Sequence, residues 1–155
     1  VAAGAGAKVA LACDRVIAAR SATCIQAVAK LGLVPDSGGT WFLPRLVGGA
    51  RARALAMLAE PVSAERAEAW GMIWKVVEDS DLMTEAHALA ASLATQPTDG
   101  LALIKQALDA SERNTLDAQL DLERDLQGRA GRSADYAEGV TAFLEKRSPR
   151  FVGRA

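Results

Sequence analysis

The chain has 155 residues, half of them hydrophobic and 24% charged, with 18 basic against 19 acidic side chains. That is one domain's worth of polypeptide, able to bury roughly two thirds of its unfolded surface. The near-neutral balance argues against nucleic acid or an anionic membrane as partner, and no apolar run approaches the roughly 20 residues that span a bilayer.

The opening, Val1-Ala2-Ala3-Gly4-Ala5-Gly6-Ala7, is apolar and glycine-spaced, has no initiator Met and does not resemble a basic-then-apolar leader. It has the character of a domain interior, and the expectation is a piece of a longer fold. Lys8 to Cys13 follows as a short, nearly all-buried helix, ended by Asp14. Arg15 to Ala19 and Thr23 to Ile25 are short strand candidates. Cys13 and Cys24 lack metal-ligand spacing and are expected to be buried free thiols in a reducing compartment.

Gly32-Leu33-Val34-Pro35-Asp36-Ser37-Gly38-Gly39-Thr40-Trp41 comes next. It sets one carboxylate between a proline, which can neither donate to a sheet nor continue a helix, and two glycines that allow backbone forbidden to other residues. On local preferences alone, Asp36 and Ser37 are turn and N-cap residues. The alternative is an acid held by rigid neighbours for catalysis.

Trp41 to Val47 predicts a helix interrupted by Pro44, and Ala50 to Ala59 has strong helix composition. Ser63 is an N-cap candidate, Gly71 a stop, and Met72 to Val77 a strand. Beyond Asp79 the chain is helical. Leu82, Ala86, Leu89 and Leu93 share one face; Leu101, Ile104 and Leu108 line a second helix; Leu116, Leu120, Leu122 and Leu126 a third, ending at Gly128 to Gly131. Ser133 opens the last, with Tyr136, Val140, Phe143 and Leu144 on its apolar side, and the basic tail from Arg147 is expected to be exposed. Residues 1–78 thus form a mixed α/β part and 79–155 a helical, oligomer-forming region. Too few strands are present for a complete sheet, so the remainder is expected upstream of Val1.

Other chemistry is thinly represented. The Gly4-Ala5-Gly6 turn could approach an anion but lacks the phosphate-loop and dinucleotide patterns. Ser21 and Ser37 have no companion His for a hydrolytic triad, His87 fits a helix surface, and no metal site is indicated. Trp41, Trp70 and Trp74 are expected in the core.

Taken in order, the small-residue turn before Ala10-Leu11-Ala12-Cys13-Asp14, Gly32 to Thr40, Ala67-Glu68-Ala69-Trp70-Gly71-Met72-Ile73 and Glu138 to Arg147 resemble the second half of the crotonase (enoyl-CoA hydratase/isomerase) superfamily. The motifs at Pro35 to Trp41 and Leu120 to Asp125 look most like its isomerases. The resemblance implies an α/β crotonase-like fold, C-terminal half, mostly helical with a few short strands. It implies an acyl-CoA isomerase acting through a thioester enolate, with no cofactor beyond the coenzyme A of the substrate. By the same resemblance the enzyme is cytoplasmic and assembles as a homotrimer or dimer of trimers.

Ala5 matches one backbone donor to the thioester oxygen, flanked by Gly4 and Gly6; the other donor belongs to the part of the family fold absent here. The two glutamates of the hydratases fall at Lys8 and Val28, so simple hydration is disfavoured. Asp36 is left as the catalytic acid/base, with Val28 lining the substrate. Phe143 and Lys146 match residues near the adenine and phosphates of coenzyme A, although a solvated helix end explains Lys146 as well. A hydratase, a dehalogenase-like enzyme with nucleophilic Asp36, and an inactive truncated oligomer are the alternatives. A carboxyl that returns a proton near neutrality needs a pKa well above its ordinary 3.9 or so. Burial between Leu33, Val34 and Trp41 is expected to raise it, with Lys8 as the possible opponent.

Overall fold

The computed structural model describes residues 1–153, which fall into two compact units, the first Val1–Ala86 and the second from His87 onward. Among these residues no helix is long and apolar enough to cross a membrane.

In the first unit, β1 (Ala2–Ala3) and β3 (Thr23–Ile25) pair in parallel, and β3 pairs antiparallel with β4 (Val62–Ser63). A second small sheet joins β2 (Ile17–Ala19) to β5 (Lys75–Val77) in parallel. The strands are shorter than the apolar runs suggest: Met72 to Trp74 and Arg15-Val16 lie outside the ladders. Four helices, α1 (Ala5–Leu11), α2 (Gly39–Val47), α3 (Gly49–Leu58) and α4 (Ala64–Ala69), accompany these strands. Leu11, Leu43, Val47, Leu55, Val62 and Met72 form the core, with Cys24 and Phe42 packed on it.

Local chemistry explains most boundaries. The Ser63 hydroxyl accepts from the Arg66 N–H at 3.3 Å and caps α4 as expected. At the end of that helix Gly71, with φ +73°, gives the left-handed residue of a Schellman closure: its N–H reaches the Glu68 carbonyl and the Met72 N–H reaches Ala67. A 3-10 turn, Ala27–Leu31, closes the same way at Gly32. Pro44 does not interrupt α2. It lies within the helix, which forgoes one hydrogen bond there and continues to Val47.

Several burial expectations are overturned. Cys13 is exposed and only Cys24 is half-buried, because α1 buries one face (Ala7, Lys8, Leu11) and turns Val9 outward. Trp41 and Trp74 lie at the surface, each covered by a guanidinium: Arg45 stands 3.9 Å from the Trp41 ring centre and Arg15 4.3 Å from that of Trp74. A cation over the ring face suits a half-wetted aromatic. His87 is exposed on α5 (Leu82–Ala94), as expected of it.

The second unit contains α6 (Thr98–Ser111), α7 (Leu116–Ala130) and α8 (Ala134–Leu144). Ser133 caps α8 by accepting from the Tyr136 N–H at 3.1 Å. α7 ends at Ala130 with Gly131 as its C-cap, within the expected stretch Gly128 to Gly131. The expected apolar stripes are present, yet Ile104, Leu108, Leu120, Tyr136, Phe143 and Leu144 are exposed, while Leu103 and Ala142 are buried. On α8 this has a specific cause. Its inner face carries Asp135, Glu138, Gly139 and Ala142, at helical spacing, and the C-terminal segment folds back along it.

The tail is therefore strapped, not loose. The Asp135 carboxylate, 5% exposed, accepts from the N–H groups of Val152 and Gly153 at 2.7 and 2.9 Å. Arg147 grips Glu138 with both terminal nitrogens, at 2.6 and 2.9 Å, and the Arg150 N–H adds a third bond. The Phe151 ring lies against Gly139, where a side chain would meet it at 3.6 Å. These donors, Arg147 foremost, hold the Glu138 carboxyl down at about 2, from an ordinary 4.5. Stability from this pairing is therefore complete above the ordinary value and fades as pH falls through about 2. Asp135→Ala would remove the acceptor of the Val152 and Gly153 N–H groups and should cost about 1–3 kcal/mol at pH 7 by urea unfolding; a loss near zero would mean that the tail is not held there.

Candidate active site

The Asp36 segment is built by a turn with two consecutive left-handed residues. The Gly39 N–H closes on the Asp36 carbonyl at 2.8 Å, with Ser37 at φ +47° and Gly38 at φ +76° between them. Gly38 takes this conformation without penalty, whereas Ser37 is held in it at a cost of about 1–3 kcal/mol, the kind of strain that gathers at functional sites. The α2 N-cap is Gly38, and no side chain caps that end. Asp36 and Ser37 are thus not capping residues, and the Asp36 side chain is directed elsewhere.

It meets Lys8. The ammonium lies 2.5 Å from Asp36 Oδ1, and the Ser37 hydroxyl donates to the same oxygen at 3.2 Å. Oδ2 takes no hydrogen bond from the described residues. The two partners are unlike in exposure: the Lys8 side chain is completely buried, and that of Asp36 is 73% exposed. Lys8 leaves the inner face of α1, and its methylenes pass directly over Gly39, where a Cβ would sit 3.1 Å from Cδ and Cε. Absence of a side chain at Gly39 therefore opens the path by which Lys8 reaches the turn.

This arrangement reverses the expected electrostatics of Asp36. Leu33, Val34 and Trp41 are exposed and do not desolvate it. The hydrogen bond and charge of Lys8, with help from Ser37, hold the carboxyl below its ordinary range. Asp36 is a carboxylate across the neutral range, and the stability drawn from its pairing persists above the ordinary value and is lost as pH falls through the lowered one.

The other expected positions of the first unit lie at the start of α1 and in the 3-10 turn. Gly4, at φ +52°, precedes Ala5, the first residue of α1, whose N–H is among those an α-helix leaves without an internal acceptor. The Gly4 N–H reaches the Ile25 carbonyl at 3.2 Å, which ties the turn to β3. Gly6 follows within α1, and Val28 sits half-buried in the 3-10 turn, its carbonyl accepting from Leu33. An apolar cavity of about 260 Å³ borders the Asp36 turn, lined by Pro35, Gly39, Leu43, Ala52 and Met57 among others.

Phe143 and Lys146 belong to the second unit, at the end of α8. Phe143 is 82% exposed. Lys146 has φ +54° and occupies the left-handed position of a third Schellman closure, its N–H reaching Phe143 and that of Arg147 reaching Ala142. Glycine fills that position at Gly32 and Gly71; here it is a lysine. Sequence reasoning named Lys8 as the cation that would oppose a raised Asp36 pKa without being able to place its ammonium, and the structure places it on Asp36; it missed the role of Asp135 and Glu138 in holding the segment after Lys146. The one available signal for the latter was two acids a helical turn apart, ahead of a basic tail.

The enoyl-CoA hydratase/isomerase family matches residues 1–154. The chain belongs to this family. It is 64% identical over 154 residues to the 1,2-epoxyphenylacetyl-CoA isomerase of Escherichia coli K12, covering 99% of this chain and 59% of that protein. It is 54% identical to a protein of Rhodobacter capsulatus described as a probable enoyl-CoA hydratase, covering 99% of the chain and 60% of that relative. Among solved structures, an enoyl-CoA hydratase from Polaromonas superposes with a TM-score of 0.93 at 40% identity, over 97% of this chain and 58% of the other. One from Bacillus anthracis gives 0.94 at 33%, over 99% and 59%. The crotonase fold is thereby shown, and the chain spans 58–60% of the length of these relatives.

Gly39→Ala tests the geometry of the pair. The added methyl must displace the Lys8 stem, and the variant should lose about 1–3 kcal/mol by denaturant unfolding, in the range of other overpacked sites. A neutral result would mean that the stem has another route.

Proposed function

We propose that the protein is an acyl-CoA isomerase that works through a thioester enolate, with 1,2-epoxyphenylacetyl-CoA as substrate and double-bond shift in enoyl-CoA thioesters as a further activity. The observation that carries this reading is a largely exposed, ionised Asp36 with one free oxygen, at a position that by the resemblance carries the working aspartate of some isomerases and dehalogenases of the family. The identity to an epoxyphenylacetyl-CoA isomerase supports the choice of substrate. Lys8 and Val28 stand where the hydratases carry glutamates and cannot serve as carboxylate bases, which weighs against hydration.

In this reading Asp36 removes a proton from the carbon adjacent to the thioester, or conjugated with it. The carboxylic acid so formed returns that proton at the other end of the enolate, so that the reaction ends with no net proton change. The electron pair moves to the thioester oxygen, where the Ala5 N–H donates, and such a donor typically contributes about 3–4 kcal/mol of transition-state stabilisation. A second donor would come from the part of the relatives' length that this chain does not span. The apolar cavity beside Pro35 and Gly39 offers room for the acyl or aryl group. Phe143 and Lys146 take the adenine and phosphates of coenzyme A bound at a neighbouring subunit, an aromatic and a cation suited to a nucleotide. No cofactor beyond the substrate's coenzyme A is needed. A homotrimer, or a dimer of trimers, would cover the exposed apolar side chains of α8, and the cytoplasm is the proposed location.

Asp36→Asn in the intact protein should lower kcat for double-bond shift by about 10²–10⁴-fold with the fold retained, and unchanged turnover would remove Asp36 from the mechanism. The acidic limb of the wild-type kcat/KM profile should lie below the ordinary carboxylate value of about 3.9, as far as the protein stays folded. Lys146→Gly should raise stability by about 1 kcal/mol by relieving left-handed backbone, while raising KM for acyl-CoA severalfold. A KM unchanged from wild type would leave Lys146 as a solvated helix end.

A further inference from the structure

Both hydrogen bonds to Asp36 fall on one oxygen. Lys8 Nζ and Ser37 Oγ converge on Oδ1, at 2.5 and 3.2 Å, and Oδ2 is open. The donor of the shorter bond is the largest completely buried side chain among the described residues. Its stem is confined between the inner face of α1 and the backbone of Gly39. Asp36 itself begins the left-handed turn through Ser37 and Gly38, so its backbone direction is also set. A flexible, solvent-facing aspartate would otherwise present either oxygen over a wide arc.

We propose that Lys8 is a positioning residue for the reaction: its buried ammonium fixes the Asp36 carboxylate through Oδ1 and presents Oδ2 as the single oxygen that exchanges a proton with the substrate. This rests on the isomerase reading given above and adds a role for a residue at which the hydratase pattern is lost. Lys8 does not touch the reacting atoms. It replaces the solvent shell that would let the carboxylate rotate, and a misplacement of about 1 Å at such a group can cost on the order of 10²-fold in rate. Lys8 is the charged side chain in contact with Asp36 among the described residues, and the turn adds only the neutral Ser37 hydroxyl. Because Asp36 is exposed, loss of Lys8 leaves no buried carboxylate behind. Methionine can follow much of the same path past Gly39, so the fold should survive the change.

The test combines kinetics with a readout that needs no turnover. In the intact protein, carbon-13 NMR of the Asp36 carboxyl should give a midpoint below the ordinary carboxylate value of about 3.9. Lys8→Met should bring it back to that value, lower kcat by about 10–100-fold and leave KM within about threefold. Lys8→Arg should restore part of kcat. Lys8→Gln serves for the titration should the methionine variant not fold. A wild-type midpoint at or above the ordinary value, or a Lys8→Met protein with wild-type kcat and an unmoved midpoint, would overturn the proposal. Should the midpoint shift as expected while the wild type turns over no acyl-CoA, the isomerase reading falls and the fixing of Asp36 by Lys8 stands.

Discussion

The ion pair between Lys8 and Asp36 is the constraint on which the first unit's candidate site depends. It joins a group with no solvent contact to one that is mostly in water. A buried ammonium is costly unless an acid answers it, and Asp36 is the acid that answers at the surface. The pair consequently fixes three things together: the rotation of α1 that sends Lys8 inward, the entry to α2, where Gly39 must lack a side chain, and the direction of the carboxylate. Since Asp36 is open to solvent, the pair adds modestly to stability. Its larger effect is on the charge and orientation of one side chain.

The second unit repeats the theme with different chemistry. There Asp135 and Glu138 act as acceptors for a returning chain end, and Arg147 supplies the cation. The segment they hold begins directly after Lys146, the one lysine placed in a left-handed helix closure. Backbone strain at that residue is thus offset by a dense set of charge-assisted hydrogen bonds immediately downstream. Ser37 shows the same relation on a smaller scale, since its strained backbone adjoins the hydrogen bonds made to Asp36.

Much of this fold was legible in the residues themselves. Helix starts at Ser63 and Ser133, the stop at Gly71 and the strand at Thr23 to Ile25 follow from local chemistry that the tertiary structure did not override. The order of motifs carried the family. What the chain order could not reveal was side-chain partnership across distance. Leu33, Val34 and Trp41 adjoin Asp36 in sequence and suggested burial, but Leu33 and Val34 lie outside any helix or strand and Trp41 lies on an exposed side of α2, so all three face water. Lys8, remote in sequence, is the neighbour that matters. Periodicity likewise identified the apolar sides of α6 to α8, and it cannot say whether such a side is covered within its own unit. The tail is exposed as its basic residues suggest, but charge alone did not reveal that the acids of α8 hold it in place.

Gly39 carries a consequence for how this sequence can vary. Its missing side chain is occupied, in effect, by the stem of Lys8. Any larger residue at 39 requires a shorter or redirected one at 8, and any lineage that exchanges Lys8 for a small side chain opens a gap that an alanine at 39 would fill. Positions 8 and 39 are therefore coupled, since a side chain added at 39 and the stem at 8 compete for the same space between two helices.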